Sequence, residues 1–304
     1  MQPQPQPPQQ PRILNHDELK SKWDAFSKTF QQVLEPSTNI TAQSLISSLA
    51  LYANNECSRH QKIHILDIGC GGGGGSFLIA SQMPNSDDYE LTSMDLSPEM
   101  VKLTRERCQI LTQAPFHRKI HVVEGSAENL PFPDETFDAV FSNYCLHLVP
   151  NPDQMLKEIH RVLKKGGKAS LSVWGRPENS PSFTVMQKAM MECKKRFNSH
   201  DGDENLVPLR SPFHLHQKDP LRERVLNAGF SKCLAWYQFQ PFHAFSAREF
   251  AELNSLTPDF RALVEGSEEK RLELLNVLEG MAKETFDKNE PIGNEVLIVL
   301  MSKE

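Results

Sequence analysis

The chain has 304 residues, 38% of them hydrophobic, and a formal net charge of −6. That length sustains one large α/β domain or two small ones, and the acidic balance, with a pI near 6.0, gives no electrostatic footprint for a nucleic-acid partner. The longest unbroken apolar run, Val296–Met301, is far short of the roughly 20 residues that span a bilayer, and the six cysteines are scattered without a C-x-x-C pair, as suits reduced thiols in a cytoplasmic compartment.

Residues 1–11 consist only of Met, Gln and Pro. They carry neither a secretory core nor the arginines of a presequence, so residues 1–14 are expected to be a disordered tail. Asn15 and Glu18 form a capping box, and Leu19, Trp23, Phe26, Phe30 and Val33 then recur at helical spacing. A second helix is expected over residues 39–53. Strands at Ile63–Ile68, Glu90–Asp95, Lys119–Val123, Phe137–Ser142 and Lys168–Trp174 alternate with helices at Ser76–Gln82, after Ser97-Pro98, and over Pro152–Leu163. Met100, Val101, Thr104, Cys108 and Leu111 share one face of the helix that Ser97 caps. Such alternation with short connections predicts a doubly wound, Rossmann-like parallel sheet. Beyond residue 175 come a stripe of Phe183, Met186, Met190, Cys193 and Phe197, a helix at Leu221–Ala228 and a strand at Lys232–Phe239. A helical stretch over 246–285 follows, opened by Ser246 and Glu249 and restarted at Thr257-Pro258, and a strand at Glu295–Met301 ends the pattern. Residues 15–304 therefore read as a single domain with helical cap segments at 15–55, 176–215 and 241–290.

Six of the fifteen glycines fall between residues 62 and 76. The first strand ends at Asp67, and Gly69, Gly71 and Gly73 then turn the backbone into a helix without side chains at the bend, where a ligand can approach the main chain. Gly69, Gly71 and Gly74 satisfy G-x-G-x-x-G, and Asp95 lies 21 residues beyond Gly74, the dinucleotide spacing. A run of five glycines satisfies almost any glycine pattern, so a nicotinamide oxidoreductase is one reading. Asp67 argues for another, because its carboxylate would repel a pyrophosphate and suits an ammonium or sulfonium cation.

Three further blocks follow in order: Gly125-Ser126-Ala127-Glu128-Asn129-Leu130-Pro131-Phe132, Phe137-Asp138-Ala139-Val140-Phe141-Ser142-Asn143, and Arg161-Val162-Leu163-Lys164-Lys165-Gly166-Gly167. With the glycine loop they resemble the class I S-adenosylmethionine-dependent methyltransferases, and more narrowly the small-molecule branch that includes ubiquinone and menaquinone biosynthesis methylases. The resemblance runs from about residue 62 to 175. It implies a seven-stranded sheet whose last strand is antiparallel beside the fifth, and S-adenosyl-L-methionine as cofactor. Asp67, Gly69, Cys70, Gly71 and Gly73 correspond to the loop holding the methionine part. Asp95 corresponds to the acceptor of the ribose hydroxyls, with Leu96 and Met100 beside the adenine and Ser126, Ala127 and Glu128 at its edge. Asn143 corresponds to the position near the methyl group. Ser126 stands where many relatives have Asp, and Gly72 stands where they have Thr or Ser. Each extra glycine at the helix start costs about 1 kcal/mol relative to Ala, which implies a mobile loop that the cofactor orders.

His147 reads either as a base that takes a proton from the substrate or as a histidine packed under the cofactor and bonded to backbone. Trp23, Phe26 and Phe30 read as core or as a lid over the cofactor. Met186, Met190, Met191, Phe242, Phe245 and Phe250 read as core or as cover for an apolar substrate. His214 and His216 lack a third ligand, so no metal is expected. The expected activity is methyl transfer to an O, N or C nucleophile on a small, partly apolar acceptor, aromatic or quinone-like, by a monomer or weak dimer. The alternatives are the oxidoreductase and a catalytically inactive cofactor-binding fold.

Overall fold

A computed structural model describes residues 10–51, 62–83, 89–112, 120–197 and 209–304. Residues 1–9 of the expected tail lie outside the described residues, as do 52–55 and 198–208 of the expected cap segments. The strands are β1 (Ile63–Ile68), β2 (Tyr89–Asp95), β3 (Ile120–Glu124), β4 (Phe137–Ser142), β5 (Leu163–Trp174), β6 (Lys232–Pro241) and β7 (Gly293–Ser302). They form one sheet in the order β3-β2-β1-β4-β5-β7-β6. Only β7 runs against the rest, inserted between β5 and β6 and antiparallel to both. The strand order reverses direction between β1 and β4, and the carboxyl ends of those strands open the crevice in which ligands of such sheets bind.

Alternate residues of each strand feed the two faces. Leu66 and Ile68 of β1 join Met155, Leu156 and Ile159 of α5 (Pro152–Val162) and Leu221 and Val225 of α7 (Lys218–Asn227). Ile65 joins the opposite core, with Ile79 of α3 (Gly74–Gln82) and Phe141 of β4. Strand β5 starts at Leu163, five residues before the expected Lys168. Phe137 pairs with Leu163 and Ala139 with Lys168, so the residues between them are absorbed as an irregularity inside the strand, where Gly166 takes φ 78°.

The N-terminal arm departs from the two separate helices expected. Helix α1 (His16–Thr29) continues through a π-helical turn, Phe30–Leu34, directly into α2 (Glu35–Leu49). The cause is Pro36, which lacks an N–H and whose ring clashes with the carbonyl four residues back in a regular helix. One widened turn removes that clash without breaking the rod. Leu45, Ile46 and Leu49 of α2 then sit on the β1–β4 face of the sheet.

A separate core unites α6 (Pro181–Arg196) with α9 (Pro258–Val264) and α10 (Glu268–Asp287) through Cys193, Phe260, Leu274 and Leu278. Phe250 of α8 (Ala247–Ser255) links it to Val33 in the π turn. The expected unbroken helix after Thr257 is interrupted at Glu265 and Gly266, both left-handed, and restarts where Ser267 accepts from the Lys270 N–H.

Candidate functional site

The glycine turn is tied to β2 by its own backbone. The N–H groups of Gly69 and Cys70 both donate to Met94 O, at 2.8 and 3.0 Å, and that of Gly71 donates to Asp95 Oδ2 at 2.9 Å. Gly69, Gly71 and Gly73 take φ of 72°, 55° and 81°, which L-residues with side chains rarely adopt. Thr104 of α4 (Pro98–Thr112) clamps the bend by donating to Gly71 O at 2.7 Å. The extra glycines prove to be packing requirements. A Cβ on Gly75 would stand 2.6 Å from Phe141 Cε1, and one on Gly74 would stand 2.7 Å from Asn39 Oδ1 and 2.9 Å from Glu35 Cδ. Helix α2 therefore rests directly on the glycine run.

Beneath the turn lies a cavity of about 40 Å³, lined among others by Phe30, Glu35, Asp67, Gly71, Gly75 and Asn143. Asp67 is 1% exposed. Its Oδ2 accepts from Ser76 Oγ at 2.5 Å, and Ser76 shares a further bond with Ser93 at 2.6 Å. Among the described residues its Oδ1 has no hydrogen-bond partner, and neither has Oε2 of Glu35. Burial pushes the Asp67 carboxyl up to about 7, with Asp95 adding to the shift against the bond from Ser76. Among the described residues no lysine or arginine pairs with Asp67 or Asp95, so a cation entering the cavity would find unneutralised acceptors.

Asp95 ends β2 with its carboxylate accepting from Gly71 N–H and Ser97 N–H, and burial raises its pKa. Leu96 is half-buried and Met100 is 2% exposed, its N–H bonded to Ser97 Oγ. Ser126 and Glu128 lie across from them. The Glu128 carboxylate takes Asn151 N–H at 2.7 Å and pairs with His16 Nε2 at 2.5 Å, while Ser126 Oγ stands 3.3 Å from the same nitrogen. Ala127 is buried in the core beneath. Helix α1 thus lies along this side of the site. Lys20 reaches Glu124 at 2.6 Å, and Asp24 accepts from Ser97 Oγ at 2.5 Å. Trp23, Phe26 and Phe30 form one aromatic cluster, and the Phe30 ring lies over Gly71.

Asn143 follows β4 and lines the cavity. Its Nδ2 donates to Thr38 O at 3.0 Å and its Oδ1 accepts from Ser172 Oγ at 2.8 Å, so α2, β4 and β5 all hold it. The next residue, Tyr144, takes φ 55°, uncommon for a bulky side chain. Its buried hydroxyl bonds Thr41 at 2.9 Å and also Gln240, and its ring lies 4.2 Å from that of Trp174. His147 is 4% exposed and does not line the cavity; its Nδ1 has no hydrogen-bond partner among the described residues. Burial, with His214 and Arg210 nearby, pulls its pKa down to about 3. Among the described residues no group of three metal-ligating side chains occurs, and no helix is long and apolar enough to cross a membrane.

Of the expected site residues, the structure brings Asp67, Gly69, Cys70, Gly71 and Asn143 around one cavity, with Asp95 bonded to Gly71 beside it. Sequence reading missed Glu35, Thr38, Thr104 and Ser172. Their contribution rests on contacts between residues 28 or more apart in the chain, and no spacing in the sequence signals them.

A family model described as a methyltransferase domain matches residues 66–171. A demethylmenaquinone methyltransferase of Listeria welshimeri is 35% identical over 172 residues, covering 55% of this chain and 70% of that protein. A sterol 4-C-methyltransferase of Caenorhabditis elegans is 32% identical over 125 residues, 40% of this chain and 34% of its own length. The chain likewise spans only 42% of a second demethylmenaquinone methyltransferase, from Listeria monocytogenes, at 36% identity over 105 residues, 34% of this chain. In fold the whole chain is similar to the cyclase SpnF, with TM-score 0.57, 15% identity and coverage of 96% and 98% of the two chains. The chain belongs to the class I S-adenosylmethionine-dependent methyltransferases. The residues present fit that cofactor, since the buried Asp67 oxygen, without a hydrogen-bond partner among the described residues, suits a cationic group.

Proposed function

We propose that this protein transfers the methyl group of S-adenosylmethionine to an O, N or C nucleophile on a small, partly apolar acceptor, aromatic or quinone-like. The observation that carries the reading is Asp67, which lines the cavity under the glycine turn with a buried Oδ1 unpartnered among the described residues, at the point where the sheet's strand order reverses. When bound, the cofactor supplies a methyl group already activated on a sulfonium. The chain's task is then to hold donor and acceptor in line and to keep water out.

Asp67, Gly69, Cys70, Gly71 and Gly73 would hold the methionine part, Asp95 the ribose, and Leu96, Met100, Ser126, Ala127 and Glu128 the adenine side. Asn143, held at both ends of its amide, would fix the methyl end. Orientation of this kind supplies about 7–11 kcal/mol of a barrier, against about 3–5 kcal/mol for a general base. A histidine buried outside the cavity with a pKa near 3 is a poor base at neutral pH. We therefore assign His147 to packing against Tyr144 and Trp174 rather than to proton transfer.

An apolar acceptor is supported by an aromatic wall at the same end of the sheet. Tyr144, Trp174, Phe183 and Phe213 follow one another at centroid distances of 4.2, 4.8 and 5.2 Å. The relatives named for menaquinone and sterol methylation fit such an acceptor. Incubation with methyl-labelled S-adenosylmethionine and a panel of naphthoquinols, phenols, amines and polynucleotides tests the reading. Label on an aromatic small molecule is the expected result. Label on a polynucleotide alone contradicts the acceptor class, and cofactor binding without turnover on any acceptor marks an inactive fold.

A further inference from the structure

The cavity under the glycine turn is bounded by two carboxylates, and only one of them belongs to the sheet. Glu35, the first residue of α2, is 7% exposed. Arg107 of α4 holds its Oε1 at 2.8 Å, which leaves Oε2 buried and without a hydrogen-bond partner among the described residues, on a side chain that lines the same cavity as Asp67. The glycine run is shaped to receive it. A Cβ on Gly72 would approach Glu35 Oε2 to 3.2 Å, and one on Gly74 would approach Glu35 Cγ to 3.0 Å. The π turn ahead of Pro36 carries the chain from the aromatic cluster of α1 to this position.

We propose that Glu35 and Asp67 together form a two-carboxylate receptor for an alkylammonium group, and that its occupant is the α-ammonium of the methyl donor. This rests on the function proposed above. A buried carboxylate oxygen with no donor carries a desolvation penalty, and a cation entering the cavity that both residues line would offset it for each. Glycine backbone and aromatic carbon make up much of the remaining lining, and the nearby Arg107 is already committed to the other oxygen of Glu35. The cavity of about 40 Å³ suits one ammonium group rather than a large substituent. Because Glu35 sits on the N-terminal arm, the receptor exists only while that arm is docked, so cofactor charge and arm position are linked.

Calorimetric titration with S-adenosylhomocysteine and with its deamino analogue, which lacks only the ammonium, tests this on the full chain. For Glu35→Gln the expected result is at least tenfold weaker binding of S-adenosylhomocysteine, with affinity for the deamino analogue within twofold of wild type. An equal loss for both ligands would reduce Glu35 to a packing role, and unchanged affinity for both would overturn the proposal, including the case in which an amine acceptor is the true occupant. Should Glu35→Gln fail to fold, Glu35→Asp is measured in its place, with a smaller loss again confined to the amino-bearing ligand. Wild-type protein that binds neither ligand contradicts the methyl-donor reading itself. Wild type that binds while Glu35→Gln is unaltered contradicts only the role of Glu35.

Discussion

The two ends of the crevice are built from different materials. The donor end is mainly backbone: a glycine turn pinned to β2 by three N–H bonds, with Asp67 and Glu35 below it. The proposed acceptor end is side chain upon side chain, with Tyr144 and Trp174 of the sheet side meeting Phe183 of the helical cap. Backbone held by strands tolerates little change, whereas a wall of rings can be reshaped by substitution. On the function proposed above, the glycine-turn end would fix the chemistry and the aromatic end would set which molecule receives the group.

Asp67→Asn should produce the largest effect and should confine it to the donor end. S-adenosylhomocysteine binding is expected to weaken about a hundredfold or more, equivalent to about 2.7 kcal/mol, while the free protein at pH 8 melts at a higher temperature than wild type. The sign follows from linkage. A carboxyl raised to about 7 in the folded state from an ordinary value near 3.9 holds its proton when the unfolded chain has released it, so stability falls as pH rises through that window. Removing the charge removes that fall. A matching scan of wild-type affinity against pH should show tighter binding of S-adenosylhomocysteine as pH climbs through 7 and Asp67 ionises.

A pair of helical glycines sharpens the contrast in stability. Gly75→Ala forces a methyl to within 2.6 Å of Phe141 and should cost about 1–3 kcal/mol in urea unfolding. Gly280→Ala, in the exposed middle of α10 with nothing within 4 Å, should stabilise by about 1 kcal/mol. At the acceptor end, Trp174→Ala is expected to raise KM for the acceptor several-fold and leave the dissociation constant of S-adenosylhomocysteine within twofold. His147→Asn should have the smallest effect of all, with kcat within about tenfold of wild type. A fall of a thousandfold with unchanged folding would restore it as the base.

The sequence disclosed the donor end far better than the cap, for a physical reason. Asp67, the glycines, Asp95 and Asn143 lie at strand ends whose order follows from β-α alternation, so local pattern places them together. The glycine run was legible as a turn but misleading in its length. Helix propensity alone makes Gly74 and Gly75 a local weakness, and only the fold reveals Asn39, Glu35 and Phe141 standing where their side chains would be. Those contacts join residues 35 or more apart and leave no periodic trace. The same holds for the fused arm, where two separate helices are expected and a π turn joins them, and for Gly166, which reads as a turn and becomes an irregularity within β5. In the cap, residues 246–285 read as helical, but the packing of Phe260 against Leu274 depends on a break at Glu265 that no strong signal announces.

The central claim, that the glycine turn and Asp67 select a cationic methyl donor over a dinucleotide, is tested most directly by calorimetry of the wild-type chain at pH 8 with S-adenosylhomocysteine and with NAD. Binding of S-adenosylhomocysteine and none of NAD is the expected result. Binding of NAD with no heat from S-adenosylhomocysteine would contradict it.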